Sequence, residues 1–284
     1  MLLTLMMDYS HVIKRVHNHI SKSGDSKNCT RKLKIKDYIF WDHWINAFKW
    51  DHDKNPFPIH RKVTYDHFYL TSESKMCNHL AEHVLDIDML HLMKQFQASF
   101  TGDARNYLQG TIELLTQTSH IVSCLRDQHP IYDESDIRLK KNQEVLKYFD
   151  NWTKLVEEDC SLIQSASEKE KSLISRQTRE DLASLIIGFD TVCKSRITRN
   201  LYSVKPCYVN SDAIENIFCQ VRDVLNGLNT NPTYSQYSKT MNSIILGQHS
   251  TSRKANTGRK TQHAAQPVAF YCDKPLSPTK KLRI

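Results

Sequence analysis

NSDAIENIFCQVRDVLNGLNTNP, running from Asn210 to Pro232, spells one helix and its exit loop. Gly227 follows the last apolar turn and suits the C′ position, where a left-handed residue closes a helix. At the other end Asp212 and Glu215 stand three residues apart. As a capping box, Asp212 at the N-cap and Glu215 at N3 would satisfy two backbone N–H groups reciprocally, worth about 0.5–2 kcal/mol to the helix. As chemistry, Glu215 would face a divalent cation together with carboxylates from other elements, because two-metal phosphoryl transfer needs several hard oxygen ligands at one point. Spacing alone favours the cap, and the two roles are not exclusive.

Upstream of this stretch the pattern is helical. A chain of 284 residues with 39% hydrophobic side chains and only 7 glycines has little of the turn chemistry that all-β folds need. Apolar residues at helical spacing predict helices over 72–97 (Met76, Leu80, Val84, Ile87, Leu90) and 104–126 (Leu108, Ile112, Leu115, Val122, Leu125). Two more are predicted over 135–158 (Val145, Phe149, Trp152, Val156) and 167–199, the last opened by a capping box of Ser165 and Glu168. Ile39, Phe40, Trp41, Trp44, Ile45, Phe48 and Trp50 form a dense aromatic cluster that reads as core. At the start, the short apolar run 2–7 is strand-like and meets Asp8, after which Val12, Val16 and Ile20 fall at helical spacing. A second strand-like piece, YVN, precedes the opening stretch.

The formal charge of +8 is concentrated at the end of the chain. Residues 249–284 hold eight Lys/Arg, Arg253, Lys254, Arg259 and Lys260 among them, against the single Asp273, so the remainder is near neutral. With little apolar content, this tail is expected to be disordered, and PTKKLRI at its end suits a nuclear-import or nucleic-acid patch. Eight cysteines are scattered without CxxC spacing, which points to reduced thiols rather than a zinc or disulfide framework. MLLTLMM lacks a basic flank and a cleavage site, and no stretch has the length of a membrane span. Phosphate-cradling glycine loops and the G-x-S-x-G nucleophile elbow are absent. HLAEH, His79 to His83, has the spelling of an inverted zincin, but fourteen histidines make such matches easy, and surface residues of an amphipathic helix are the simpler reading.

The residues of the opening stretch carry a resemblance. Asn210, Asp212, Glu215, Asn216, Phe218, Gln220, Arg222, Asn229, Asn231, Pro232 and Thr233 match the pattern N-x-D-x-x-E-N-x-F-x-Q-x-R, a Gly/Asn turn, then N-P-T. This resembles the block that ends the RNase H-like catalytic domain of P-element-type DNA transposases, relatives of those with an N-terminal THAP zinc finger. MMDYSHVIKRVHNHI resembles the family's strand, acid and helix, D-x-x-H-[LV]-x-K-x-x-R-N-N. The tryptophan-rich segment with YLTSESKMCNHLAEHVL resembles the helical GTP-binding insertion that interrupts the nuclease.

That resemblance implies a mainly α chain: an RNase H-like remnant (1–40), a helical insertion domain (41–175), the C-terminal part of the RNase H-like α/β domain (176–248) and the basic tail (249–284). By the same match Asp8 is the second catalytic acid and Glu215 the third, both binding Mg²⁺, with Asp212 in support or as a cap. Lys14, Arg222 and the tail cations are candidate DNA contacts. The family's first Asp lies on a strand upstream of Asp8, so the chain is expected to lack it and not to transpose DNA alone. The insertion's guanine-reading element falls at Val122, Ser123 and Arg126, with a hydroxyl where the family has a carboxylate and a cation where it has an amide, which speaks against ordinary GTP binding. The expected role is that of a partial or domesticated nuclear transposase, partnered by DNA, by a full-length relative or by itself as an oligomer. The alternative is a non-catalytic DNA- or protein-binding module.

Overall fold

A computed structural model describes residues 4–72, 74–158, 166–199, 203–212, 214–215, 233–235 and 238. It divides into two compact units, 1–210 and 211–284. In the first unit the chain runs through α1 (Tyr9–Ile20), α2 (Trp41–Lys54), α3 (Asn78–Leu85), α4 (Ile87–Ala98), α5 (Gln109–Leu125), α6 (Ile137–Glu158), α7 (Ala166–Lys171) and α8 (Arg176–Thr198), with short 3₁₀ turns between. Among the described residues there is no β-strand, only isolated bridges. The mainly α reading stands, while among the described residues the strands expected at 2–7 and 208–210 do not form at 4–7 or 208–210. Met6 instead lies across α8 at Gly188, where an added Cβ would sit 2.7 Å from the Met6 Cβ. The β contact near YVN falls earlier, at Val204, which exchanges both backbone hydrogen bonds with Ile131 (2.8 and 3.0 Å). Pro206 then starts a 3₁₀ turn, Pro206–Tyr208, in place of a strand.

One core serves these helices apart from the short α7. Tyr9, Val12, Ile13, Val16 and Ile20 make the buried stripe of α1, each worth roughly 1.5–3 kcal/mol as an upper bound. The stripe packs on α3 and α8. The aromatic cluster is core as expected: Trp44 and Phe48 are fully buried on α2. The buried indoles keep their N–H groups satisfied, Trp44 by the Val84 carbonyl (3.0 Å), Trp41 by that of Phe68 (3.2 Å) and Trp152 by that of Lys34 (2.7 Å). Buried Asp51 organises the loop after α2 by accepting from Asn55 Nδ2 and from the backbone N–H groups of Ile59 and His60.

Two of the long helices read from periodicity are broken. The segment 72–97 divides at Asp86, whose extended backbone ends α3 and whose carboxylate caps α4 by accepting from the Met89 N–H at 2.9 Å. Within an unbroken helix this buried carboxylate would have no such donor. The segment 167–199 divides between α7 and α8, and the cap of α8 is Ser175, which accepts from the Thr178 N–H. The carbonyls left at the end of α7 are met from far away: Arg31 donates to Glu170 and Leu173, and the backbone N–H groups of Lys32 and Lys34 donate to Lys171 and Ser172. Residue 165, half of the expected capping box, lies outside the described residues, as do residues 216–232 and 239–284.

Candidate functional site

Asp8 stands at the N-cap of α1 with φ −70° and ψ 132°. Its Oδ2 accepts from the His11 backbone N–H (3.2 Å) and lies 3.0 Å from the His11 Nδ1. The carboxylate is only 15% exposed, and the imidazole beside it 50%. What holds this turn is the next residue. Tyr9 is buried at 1% exposure, and the Arg126 guanidinium lies 5.0 Å from its ring centroid. Arg126 in turn donates to the Glu82 carboxylate through Nε at 3.0 Å and again through Nη2. Two further ties fix α1 to α8: Arg15 pairs with Asp181, and His19 Nε2 lies 2.9 Å from Ser175 Oγ and 3.0 Å from Thr178 Oγ1. Burial pushes the His19 imidazole down to about 4, with the cations Arg31, Lys22 and Arg15 adding to the effect.

In the second unit Asp212, Ile214 and Glu215 are helical. The Glu215 N–H donates to the Ser211 carbonyl at 2.9 Å, and the Ser211 hydroxyl donates to Glu215 Oε1 at 2.8 Å. These bonds set the N-cap at Ser211 and Asp212 at the first helical position, a one-residue correction to the expected cap. Glu215 is exposed on this turn. Both Asp8 and Glu215 offer hard oxygen donors of the kind Mg²⁺ takes.

The remaining sequence candidates fall in several places. Lys14 is half-buried on α1, and Ser123 is exposed on α5. Arg126 faces inward to Glu82, so its guanidinium serves as a structural link between α3 and the end of α5. Arg222, Arg253, Lys254, Arg259 and Lys260 lie outside the described residues. The zincin spelling finds no support. Glu82, its would-be base, is committed to Arg126, and the Thr64 N–H donates to His67 Nδ1, which leaves His67 Nε2 to donate to His83 Nδ1 at 3.2 Å. Sequence reading missed the direct contact of His11 with Asp8, although a three-residue spacing across a helix start is a signal for it.

No family model and no curated protein matches this chain. Among solved structures it is similar to the Drosophila P element transposase strand transfer complex, with a TM-score of 0.60 at 15% identity over 89% of this chain. The fold is P-element-transposase-like. The match covers 53% of the other chain, so this sequence spans about half of that protein's length. In this transposase-like fold α1 and α5 of the first unit carry Lys14 and Ser123, with Asp8 at the N-cap of α1 and Arg126 at the C-cap of α5. None of the described helices is long and apolar enough to cross a membrane.

Proposed function

We propose that this protein is a P-element-like, DNA-handling protein of the nucleus, in which Asp8 and Glu215 carry what the chain contributes to metal-dependent DNA cleavage and strand transfer. The observation that supports this most is the fold likeness to a transposase strand transfer complex over 89% of the chain. The family spelling around both acids adds to it. Bound Mg²⁺ would activate a water or 3′-hydroxyl and stabilise the leaving oxygen. Asp8 and Glu215 would each offer an oxygen ligand for such an ion, Asp8 with its orientation set by the helix cap and by His11. The family's further acid would come from outside these residues, from preceding chain or from a full-length relative. GTP has no part in the proposal, since Arg126 is engaged with Glu82.

The test is binding of the whole chain to duplex DNA across a salt series, followed by fluorescence anisotropy. Affinity that falls steeply with salt supports the reading. No binding at low salt would end it. The non-catalytic alternative works through the basic tail and the helical insertion, and a tail-deleted protein that binds DNA with unchanged affinity and salt slope would count against the tail's part in it.

A further inference from the structure

Lys32, Lys34 and Tyr38 meet across a tight chain reversal. Lys34 and Tyr38 form an antiparallel bridge, and the Ile39 N–H donates to the Leu33 carbonyl at 2.8 Å. The Lys32 and Lys34 ammoniums consequently lie 4.8 and 5.7 Å from the Tyr38 ring centroid. Phe40 also stacks on that ring, 5.1 Å away with planes 18° apart. Tyr38 is therefore a platform that positions two cations rather than a face offered to a base.

The reversal is pinned at its backbone to the end of α7, where the Lys32 and Lys34 N–H groups donate to the carbonyls of Lys171 and Ser172 at 3.0 and 3.1 Å. Arg31 adds its two bonds to the carbonyls of Glu170 and Leu173. Between the reversal and α7 lies a cavity of about 350 Å³, near the small end of the range for ligand sites. Arg31, Lys32, Lys34 and Lys171 line it against Asp25 and Glu168. Lys32 and Asp25 pair at 2.5 Å, with side chains 47% and 64% exposed. A pair so exposed contributes little, and a phosphate oxygen can take the place of the carboxylate. Lys22, Lys27 and Lys36 are exposed on the same segment and extend the positive field.

We infer that this cavity seats a backbone phosphate of DNA. The inference rests on the DNA-handling reading above and adds a location that neither acid motif nor the tail supplies. Lysines on a fixed platform act as point charges for phosphate, a contact that positions DNA without reading its sequence.

The experiment compares the full-length chain with a K32Q/K34Q/K171Q variant and with a K140Q/K141Q/K147Q control, which removes the same charge from α6. Duplex binding is measured against salt, and circular dichroism melts confirm that all three proteins are folded. Each phosphate contact contributes about −0.9 to the slope of log affinity on log salt. The cavity variant should lose about one to two such units and at least tenfold in affinity at fixed salt, and the control much less. Equal losses in both variants, or an unchanged slope in the cavity variant, would overturn the inference while leaving the proposed function standing. Absence of DNA binding by the unsubstituted chain would overturn both. Inorganic pyrophosphate, titrated alone, separates the sources of phosphate: saturable binding lost only in the cavity variant, with the DNA slope unchanged, would assign the cavity to a free phosphate and refute the DNA assignment.

Discussion

Asp8 and Glu215 occupy the same kind of place, the first turn of a helix, in different surroundings. Asp8 is mostly covered, caps α1, and is followed by a tyrosine buried beneath the Arg126–Glu82 pair. Glu215 is exposed and takes its hydrogen bond from the serine one turn before it. The first carboxylate is oriented by a packed core and the second by its own local turn. Changes in the core of the first unit should therefore reach Asp8, while the turn of Glu215 keeps its own local hydrogen bonds.

The largest effect is expected at Arg126. Glu82 has an 8% exposed side chain, and Arg126→Ala would leave it buried without its cation, at a cost of about 3–5 kcal/mol. Urea denaturation measures this. A loss below about 1 kcal/mol would show that the pair does not brace the turn carrying Asp8.

Acid should come next. Burial pushes the imidazole of His17, on the inner face of α1, down from 6.5 to about 4. Between these values the unfolded chain binds a proton that the folded chain excludes. Stability is thus fully present above about pH 6.5 and is lost as pH falls toward 4, by on the order of 2 kcal/mol from His17 alone at pH 4.5. His43, pushed to about 4 by burial, adds in the same direction. An NMR titration that finds His17 near 6.5 would contradict this.

Gly188→Ala should have a smaller effect, about 1–3 kcal/mol, because the new methyl meets Met6 Cβ at 2.7 Å and the Leu5 carbonyl at 3.1 Å. It should also displace the segment that leads to Asp8. An unchanged melting temperature would mean that this segment is not held against α8.

The smallest effects separate capping from charge. Asp8→Ala should cost about 1 kcal/mol, while Asp8→Asn keeps a good N-cap and costs almost nothing. Glu215→Ala should stay within about 0.5 kcal/mol. Thermal melts of the three variants decide this, and equal losses for Ala and Asn at Asp8 would remove the cap from the description.

Where one amphipathic stripe decides an element, the structure follows the sequence: α1 and α6 lie close to the expected segments, and the tryptophan cluster is core. Breaks were illegible because both sides of each break face the same core. Asp86 and Ser175 end one helix or open the next without interrupting the apolar period. The partners that stabilise the α7 end, Arg31, Lys32 and Lys34, are more than a hundred residues away in sequence. The expected strands failed for a related reason. A short apolar run is compatible with a strand, a helix or an extended packing segment, and here Met6 packs on a glycine of α8 instead of pairing. At the candidate site the motif residues Asp8 and Glu215 were legible by resemblance. The His11 contact and the lysine platform depend on three-dimensional placement, and Arg126 is turned inward by a glutamate that no local pattern couples to it.

The most direct measurement is the effect of Mg²⁺, with Ca²⁺ as a non-reactive substitute, on the DNA affinity of the full-length chain and of Asp8→Asn and Glu215→Gln. These substitutions remove charge while preserving shape and, at Asp8, the cap. The expected result is tighter binding on adding the divalent ion to the unsubstituted chain, and loss of that gain in each variant. A gain that is absent from the unsubstituted chain, or that survives both substitutions, would contradict a metal-bearing role for these two acids.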